Sequence, residues 1–167
     1  MRRPRTGLAA AILAAVAFAA AADGTNASGG GWEMLKSLAG SWKGTAEGKP
    51  VAVTYTLVSN GTALMESLDG DHDVNMITMY APDGATLLAT HYCAAGNQPR
   101  MRAEASPDGG SLAFDFVDVS NGKGAEGEIM RKLVVTFVDT DHFNQQWTSR
   151  GKDGKDRTSL FQYTRVK

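Results

Sequence analysis

The sequence predicts an all-β protein: a closed antiparallel meander barrel of about ten strands, preceded by a short N-terminal helix. Three observations support this prediction. Apolar and polar residues alternate with a period of two over most of the chain after residue 40, as in half-buried strands. Turn sequences rich in Asn, Asp, Gly and Pro separate these segments, as in hairpins. No repeat with a period of roughly 20 to 50 residues is visible, which argues against a propeller or a solenoid.

The N-terminal residues have the composition of a signal peptide. Three arginines among the first five residues precede an alanine-rich apolar run that is shorter than the roughly 20 residues of a transmembrane helix. Small residues at its end predict a signal peptide over 1–22, cleaved before Asp23, and export to the periplasm or the exterior. Residues 23–31 are polar and glycine-rich, which predicts a flexible linker. The barrel domain is then expected over 32–167.

Charge and cysteine content limit the partners that we expect. The chain has 17 Lys and Arg against 18 Asp and Glu, and the predicted signal peptide removes three of the arginines. The remaining domain is acidic, so it has no electrostatic attraction for nucleic acid, and it has no polybasic patch for anionic lipid. We therefore expect neither nucleic-acid binding nor membrane binding after cleavage. Cys93 is the single cysteine, so no disulfide can form within the chain and the hydrophobic core must hold the fold.

The period of the apolar residues changes along the chain from 3.6, as in a helix, to 2, as in strands, and this change defines the predicted elements. Residues 32–38 predict a short helix, because Trp32, Leu35 and Leu38 fall on one helical face. The first strand begins at the sequence Gly40-Ser41-Trp42, and Asn60-Gly61 is a strong hairpin signal. Further strands are predicted at 49–58, 62–68, 74–80, 86–93, 99–105, 111–119, 132–139, 144–149 and 158–166. Closure into a barrel is expected because it removes exposed strand edges.

Three segments resemble a family of uncharacterised bacterial proteins that carry a domain of unknown function. They read LAGSWKG near the start, MITMYAPDGATLLATHYCAAGNQPRM in the middle and LVVTFVDTDHFNQQWT near the end. That family is similar to the calycins, so the resemblance, which spans roughly residues 32–166, implies a lipocalin-like barrel with Trp42 packed across its closed end. Family members often have a His-Met-His run where this chain has Ile129-Met130-Arg131. Related haem-binding calycins use an axial histidine, so haem is the cofactor that the resemblance suggests, although no histidine here is matched to that position.

The stretch from Thr90 to Met101 contains the most concentrated candidate chemistry. His91 and Cys93 share one strand face, with Cβ atoms about 6 to 7 Å apart, which is too far for the hydrogen bond of a Cys–His nucleophile. No acidic or histidine cluster stands beside them, so no metal site is predicted. Cys93 is expected to pack as a small apolar side chain. His91 is either a hydrogen-bonded structural residue or part of a pocket.

Two arginines on one strand face, Arg100 and Arg102, offer a second candidate. If they point into the barrel, each needs a partner. Glu66 or Glu104 could supply it, and so could a ligand carboxylate held by a guanidinium fork. A structural ion pair, a ligand anchor and plain solvent exposure remain open as alternatives.

We expect an exported protein that holds a partly apolar small molecule in a barrel cavity. The expected ligand-binding residues are His91, Asn97, Gln98, Arg100, Arg102, Gln146 and Trp147. A hydrolase or isomerase acting in the cavity is one alternative, and a structural or interaction module with a filled barrel is another. No nucleophile elbow, phosphate loop, zinc-protease helix or nucleotide fingerprint occurs, so catalysis has no positive support in the sequence.

Overall fold

The computed structural model describes residues 29–69, 75–104, 110–122 and 128–167. These residues form one short helix and ten strands that pair in chain order. The elements are α1 (Gly29–Ser37), β1 (Gly40–Ala46), β2 (Lys49–Val58), β3 (Ala63–Asp69), β4 (Asn75–Asp83), β5 (Thr86–Tyr92), β6 (Gln98–Glu104), β7 (Ser111–Ser120), β8 (Ile129–Phe137), β9 (His142–Arg150) and β10 (Asp156–Arg165). The predicted signal peptide and residues 23–28 of the predicted linker lie outside the described residues. No helix among those described is long and apolar enough to cross a membrane.

The strands close into a barrel through the pairing of β1 with β10. The predicted fold class is thereby confirmed: an all-β, closed, antiparallel meander of ten strands with a short N-terminal helix. Closure depends on Gly44, because a Cβ atom at this position would lie 1.9 Å from the backbone carbonyl oxygen of Gln162 in β10. Only glycine permits so close an approach of two backbones.

Side chains alternate between the interior and the outer face along each strand, because successive residues of a strand point to opposite sides. In β6, for example, Met101 and Ala103 are buried, whereas Arg100 and Arg102 are exposed. The same alternation buries Phe114 in β7 and the inward-facing apolar side chains of the other strands. The apolar core therefore lies inside the barrel and not between separate layers.

The helix α1 closes one end of the barrel. Trp32, Leu35 and Leu38 are buried, as the predicted apolar face requires. The helix begins at Gly29, inside the predicted linker, because packing of this face onto the barrel outweighs the low helix propensity of glycine. The indole N–H of Trp42 donates a hydrogen bond of 2.7 Å to the carbonyl of Leu38, which fixes the helix end against β1.

Arg165, the last residue of β10, completes this closed end. Its guanidinium donates to the carbonyl oxygens of Ser37 and Ala39 at 2.9 and 3.1 Å, and lies over the Trp42 ring at 4.0 Å. The free carbonyls at a helix C-terminus are thus satisfied by a cation, which the helix dipole also favours. These contacts of Arg165 join the end of β10, the last strand, to the C-terminal end of α1, the first element of the domain.

An aromatic layer fills the half of the interior next to α1. The Phe143 ring centroid lies 4.7 Å from that of Trp42, 4.8 Å from that of Tyr163 and 5.8 Å from that of Tyr55. Edge-to-face and stacked pairs at these distances are favourable packing arrangements for aromatic rings. This half of the barrel is therefore occupied by side chains, and any cavity must lie nearer the other end.

Candidate functional site

A cavity lies towards the end of the barrel opposite α1. At this open end β1 connects to β2, β3 to β4, β5 to β6, β7 to β8 and β9 to β10. The cavity has a volume of about 90 Å³ and is partly open to solvent. Two carboxyl groups, one imidazole, three hydroxyl groups and five apolar side chains line it: Glu66, Leu68, Met76, Thr78, His91, Glu128, Met130, Trp147, Ser149, Ser159 and Phe161.

The size of this cavity limits what it can hold. Pockets for drug-sized ligands usually measure roughly 300 to 1,000 Å³, and an engineered apolar cavity of about 150 Å³ binds benzene. At about 90 Å³, this cavity accommodates a molecule of a few non-hydrogen atoms, or the end of a longer molecule that extends through the opening. The two methionines in the lining, Met76 and Met130, are adaptable side chains that can adjust to such a guest.

Three polar residues form a row across the inner surface of β3, β4 and β5. Glu66 is the cross-strand partner of Thr78, and Thr78 is the partner of His91. All three are almost completely buried. The Thr78 hydroxyl and His91 Nδ1 are 3.0 Å apart and share a hydrogen bond. Cys93, which follows the last residue of β5, is a free cysteine and is half-buried.

The imidazole of His91 is the most unusual group of this row. It is only 4 % exposed, and its Nε2 has no hydrogen-bond partner among the described residues. Burial lowers the pKa of His91 from 6.5 to about 4, so the ring is neutral at physiological pH. Its centroid lies 4.8 Å from that of Trp147, so the two rings form one side of the cavity. A buried nitrogen without a partner costs free energy that a ligand can recover.

Glu66 is the centre of a buried hydrogen-bond network. Its Oε2 accepts hydrogen bonds from the Tyr80 hydroxyl at 2.5 Å and from Gln145 Nε2 at 3.0 Å. The same Gln145 nitrogen donates to the Tyr55 hydroxyl at 2.8 Å, and Gln145 Oε1 accepts from the Trp147 indole at 3.3 Å. Burial raises the pKa of Glu66, although the hydrogen bonds from Tyr80 and Gln145 oppose that rise. Burial also raises the pKa of both tyrosines well above its usual value.

Glu128 organises the rim of the cavity. Its carboxylate accepts hydrogen bonds from Ser149 Oγ at 2.8 Å and from Arg157 at 3.2 Å. Its backbone carbonyl accepts one from Asn97 Nδ2 at 3.2 Å. Arg157 also pairs with Asp153 at 2.9 Å, so its charge is shared between two carboxylates. The connections β5–β6 and β9–β10 are thereby joined to the start of β8.

Three of the residues predicted to bind a ligand lie on the outer face of the barrel. Arg100 donates two hydrogen bonds to Asp118, at 2.5 and 2.7 Å, and Arg102 pairs with Asp83 at 3.1 Å. Gln146 is exposed on β9. The expectation that these side chains line the interior is wrong, because the strand alternation turns their apolar neighbours inward. Both arginines are exposed and pair with surface aspartates, so neither Glu66 nor Glu104, the partners considered for inward-facing arginines, holds them.

Of the other four predicted residues, three lie at or beside the cavity. His91 and Trp147 line it. Asn97 is completely buried beside Glu128, and its Oδ1 has no partner among the described residues. Gln98 is half-buried and bonds to Gly96 and Asn121 at the surface, so it does not line the cavity. A role for any of them in ligand binding stays a prediction.

Several residues of the site were missed by the sequence reasoning. The sequence suggests Glu66 only as a partner for an inward-facing arginine, and it indicates no role for Gln145. The sequence does contain a signal for Glu66. It lies two residues from Leu64 and two from Leu68, and residues two apart in a strand share a face, so all three point inward. Thr78, Glu128, Met130 and Ser149 also line the cavity.

Haem, the cofactor suggested by the sequence resemblance, does not fit this site. His91 Nε2 is free to act as a ligand, but a macrocycle is far larger than a cavity of about 90 Å³, which is itself smaller than one that holds benzene. Among the described residues, no group of three or more His, Cys, Asp or Glu side chains is placed to hold a metal ion.

Comparisons with known proteins support the fold and assign no activity. No protein-family model matches the chain, and no curated protein matches it. The crystal structure of Rv2717c from M. tuberculosis is similar, with a TM-score of 0.61 and 13 % sequence identity over 82 % of this chain and 98 % of that chain. A protein of unknown function from the DUF3598 family of Nostoc punctiforme is also similar, with a TM-score of 0.55 and 17 % identity over 79 % of this chain. The match spans 48 % of the Nostoc protein. At these identities the likeness concerns the fold alone.

Proposed function

We propose that the protein is a binding protein for a small molecule, held in the cavity between His91 and Trp147. The observation that carries this proposal is a partly open cavity with an apolar wall and a buried imidazole nitrogen that has no hydrogen-bond partner in the described part of the chain. A binding site of this kind combines apolar area with a few oriented polar groups. The ligand has a few non-hydrogen atoms, or it inserts only its end. If residues 1–22 act as a signal peptide, binding takes place after export.

Affinity in such a site comes mainly from the apolar wall. Leu68, Met76, Met130, Trp147 and Phe161 together remove apolar ligand surface from water, which contributes about 25 cal/mol per Å². The row formed by Glu66, Thr78 and His91 then orients the polar end of the guest. Small ligands gain at most about 1.5 kcal/mol per non-hydrogen atom, so we expect dissociation constants of about a millimolar for fragments of three or four atoms.

The proposal can be tested by NMR of protein labelled at the methionine methyl groups. Saturable shifts of the Met76 and Met130 resonances on titration with n-propanol would support it, with Met34 and Met101 as internal references outside the cavity lining. The variant Ser149→Leu fills the cavity and is expected to abolish these shifts. Thr148→Leu, on the outer face of the same strand, is the matched control and should leave them unchanged. Equal shifts at all four methionines, or none at any concentration, would refute the proposal.

One observation favours catalysis as a second candidate function. The carboxyl of Glu66 and the imidazole of His91 share a cavity, and burial raises the pKa of Glu66 while it lowers that of His91. Groups whose pKa values are perturbed in this way often act as an acid and a base. An isomerase activity would exchange α-protons of a small ketone with solvent, which NMR in D₂O detects. We expect exchange to fall to the background rate in His91→Gln if the cavity is catalytic; exchange at the background rate in the native protein rules this candidate out for small ketones.

A further inference from the structure

The charge of the cavity lining indicates what kind of ligand it accepts. The acidic residues among its described lining residues are Glu66 and Glu128. No Lys or Arg is among those lining residues. The only imidazole is neutral. We propose that the ligand is a small organic cation whose ammonium group pairs with the Glu66 carboxylate, an inference that rests on the proposed binding function.

Among the residues that the structure describes, no cation pairs with the buried carboxyl group of Glu66. It is 2 % exposed, and the donors that reach its Oε2, Tyr80 and Gln145, are both neutral. Removing a carboxylate from water costs several kcal/mol unless an opposite charge and hydrogen bonds compensate. The hydrogen bonds are in place and the opposite charge is not supplied by any described lining residue. An ammonium group entering the cavity completes this arrangement.

The remaining lining groups match the other requirements of an ammonium ion. An alkylammonium has three N–H donors, and acceptors are present in the Glu66 carboxylate and in the hydroxyl oxygens of Thr78 and Ser149. Ser149 donates its own proton to Glu128, so its oxygen is free to accept. Trp147 contributes an aromatic wall, and the face of an indole attracts cations.

The same features disfavour an anionic ligand. A carboxylate guest would face Glu66 without a cation to hold it, and like charges at short distance repel strongly in a buried site. The arginines that could have bound it, Arg100 and Arg102, are outside the barrel and paired with aspartates. Arg157 at the rim is shared between Glu128 and Asp153.

Three probes of equal length and different charge test this inference: n-propylammonium, n-propanol and propionate. Dissociation constants would be measured from the Met76 and Met130 methyl shifts at neutral pH. We expect n-propylammonium to bind about tenfold more tightly than n-propanol, since a charge-assisted hydrogen bond contributes more than a neutral one, and propionate to bind most weakly. In Glu66→Gln the affinity advantage of n-propylammonium over n-propanol should disappear. Glu33→Gln, an exposed carboxylate on α1, is the control and should behave as the native protein.

A pH titration of the native protein gives an independent measurement that does not depend on the folding of a variant. Ammonium binding requires ionised Glu66, so its affinity is expected to rise about tenfold per pH unit until Glu66 is deprotonated, whereas n-propanol binding stays nearly constant. The titratable groups that face Glu66 are Tyr55, Tyr80, Tyr163 and His91, with Glu128 at the rim. Burial raises the pKa of the three tyrosines and lowers that of His91, so none of these four changes charge between about pH 5.5 and 8.5.

The possible outcomes separate the charge assignment from the binding function. If n-propanol or propionate binds as tightly as n-propylammonium across the pH range measured, the assignment of a cationic ligand is overturned while the binding function stands. If none of the three probes shifts Met76 or Met130, the binding function is overturned and the charge assignment with it.

Discussion

The buried imidazole of His91 makes the stability of the barrel depend on pH, and the substitution His91→Gln removes that dependence. Burial lowers the pKa of this histidine from 6.5 to about 4 because the charged ring would lose its hydration inside the barrel. The unfolded chain therefore takes up a proton at this position at a higher pH than the folded protein does. Stability from the neutral ring is complete above the unfolded pKa of 6.5 and is lost as the pH falls towards 4.

The magnitude follows from these two pKa values. At pH 5 the imidazole is almost fully protonated in the unfolded chain, whereas it is about nine-tenths neutral in the folded protein. Proton uptake by His91 therefore lowers the free energy of unfolding at pH 5 by about 2 kcal/mol relative to pH 7. His91 is 4 % exposed, so solvent screening reduces this value little. A glutamine can replace the imidazole in its hydrogen bond with Thr78 and does not titrate.

Urea unfolding at pH 7 and pH 5 measures this effect directly. The native protein should lose about 2 kcal/mol more than His91→Gln between the two pH values, because all other titrating groups are common to both. His142→Gln is the control: this histidine is exposed beside Asp139, so the variant should keep the full pH dependence that His91 causes. An equal loss in the native protein and in His91→Gln would refute the reasoning that the ring is buried and neutral.

Three further predictions concern the closure and the buried network. Gly44→Ala should destabilise the barrel by about 1 to 3 kcal/mol or prevent folding, because its Cβ meets the backbone of β10. Arg165→Ala should cost about 1.5 to 3 kcal/mol, since it leaves the carbonyls at the end of α1 without their donor. Tyr80→Phe removes a donor to Glu66 and should raise the pKa of Glu66 further, as followed by carbon NMR of its carboxyl group.

Matched variants serve as controls for these predictions. Thr45→Ala, next to Gly44 and exposed, should change urea unfolding little, and an equal effect at both positions would contradict the role assigned to the close backbone approach. Arg150→Ala removes an exposed ion pair on β9 and should have a small effect. For Tyr80→Phe, an unchanged or lower pKa of Glu66 would show that the hydroxyl does not stabilise the carboxylate.

The fold was accessible from the sequence because alternation and turn residues are local signals. The apolar face of Trp32, Leu35 and Leu38 predicted α1, and the alternation after residue 40 predicted the strands. The sequence Asn60-Gly61 predicted a turn with positive φ at both residues, and the observed values are 56° and 80°. The pairing of β2 with β3 nevertheless ends earlier than a two-residue hairpin requires, because the positive φ of the preceding serine extends the turn.

The site was only partly accessible because local pattern does not reveal which face of a polar strand is inside. In β9 polar residues occur on both faces, and in β6 every second residue is polar, so Arg100, Arg102 and Gln146 were expected inside because of their chemistry. The apolar residues between them decide the orientation instead, as the burial of Met101 illustrates. The network around Glu66 joins side chains from β2, β3, β4 and β9, and its assembly depends on barrel closure.

The proposed site for a small molecule lies in the open half of the barrel, beside Glu66, His91 and Trp147. A crystal structure of the protein soaked with n-propylammonium tests it most directly. We expect one ordered ligand in the cavity, with its nitrogen about 2.7 to 2.9 Å from a carboxylate oxygen of Glu66 and its carbon chain against Met76 or Met130. A cavity closed by side chains, or one that holds only water at a ligand concentration that saturates binding in solution, would contradict the proposed site.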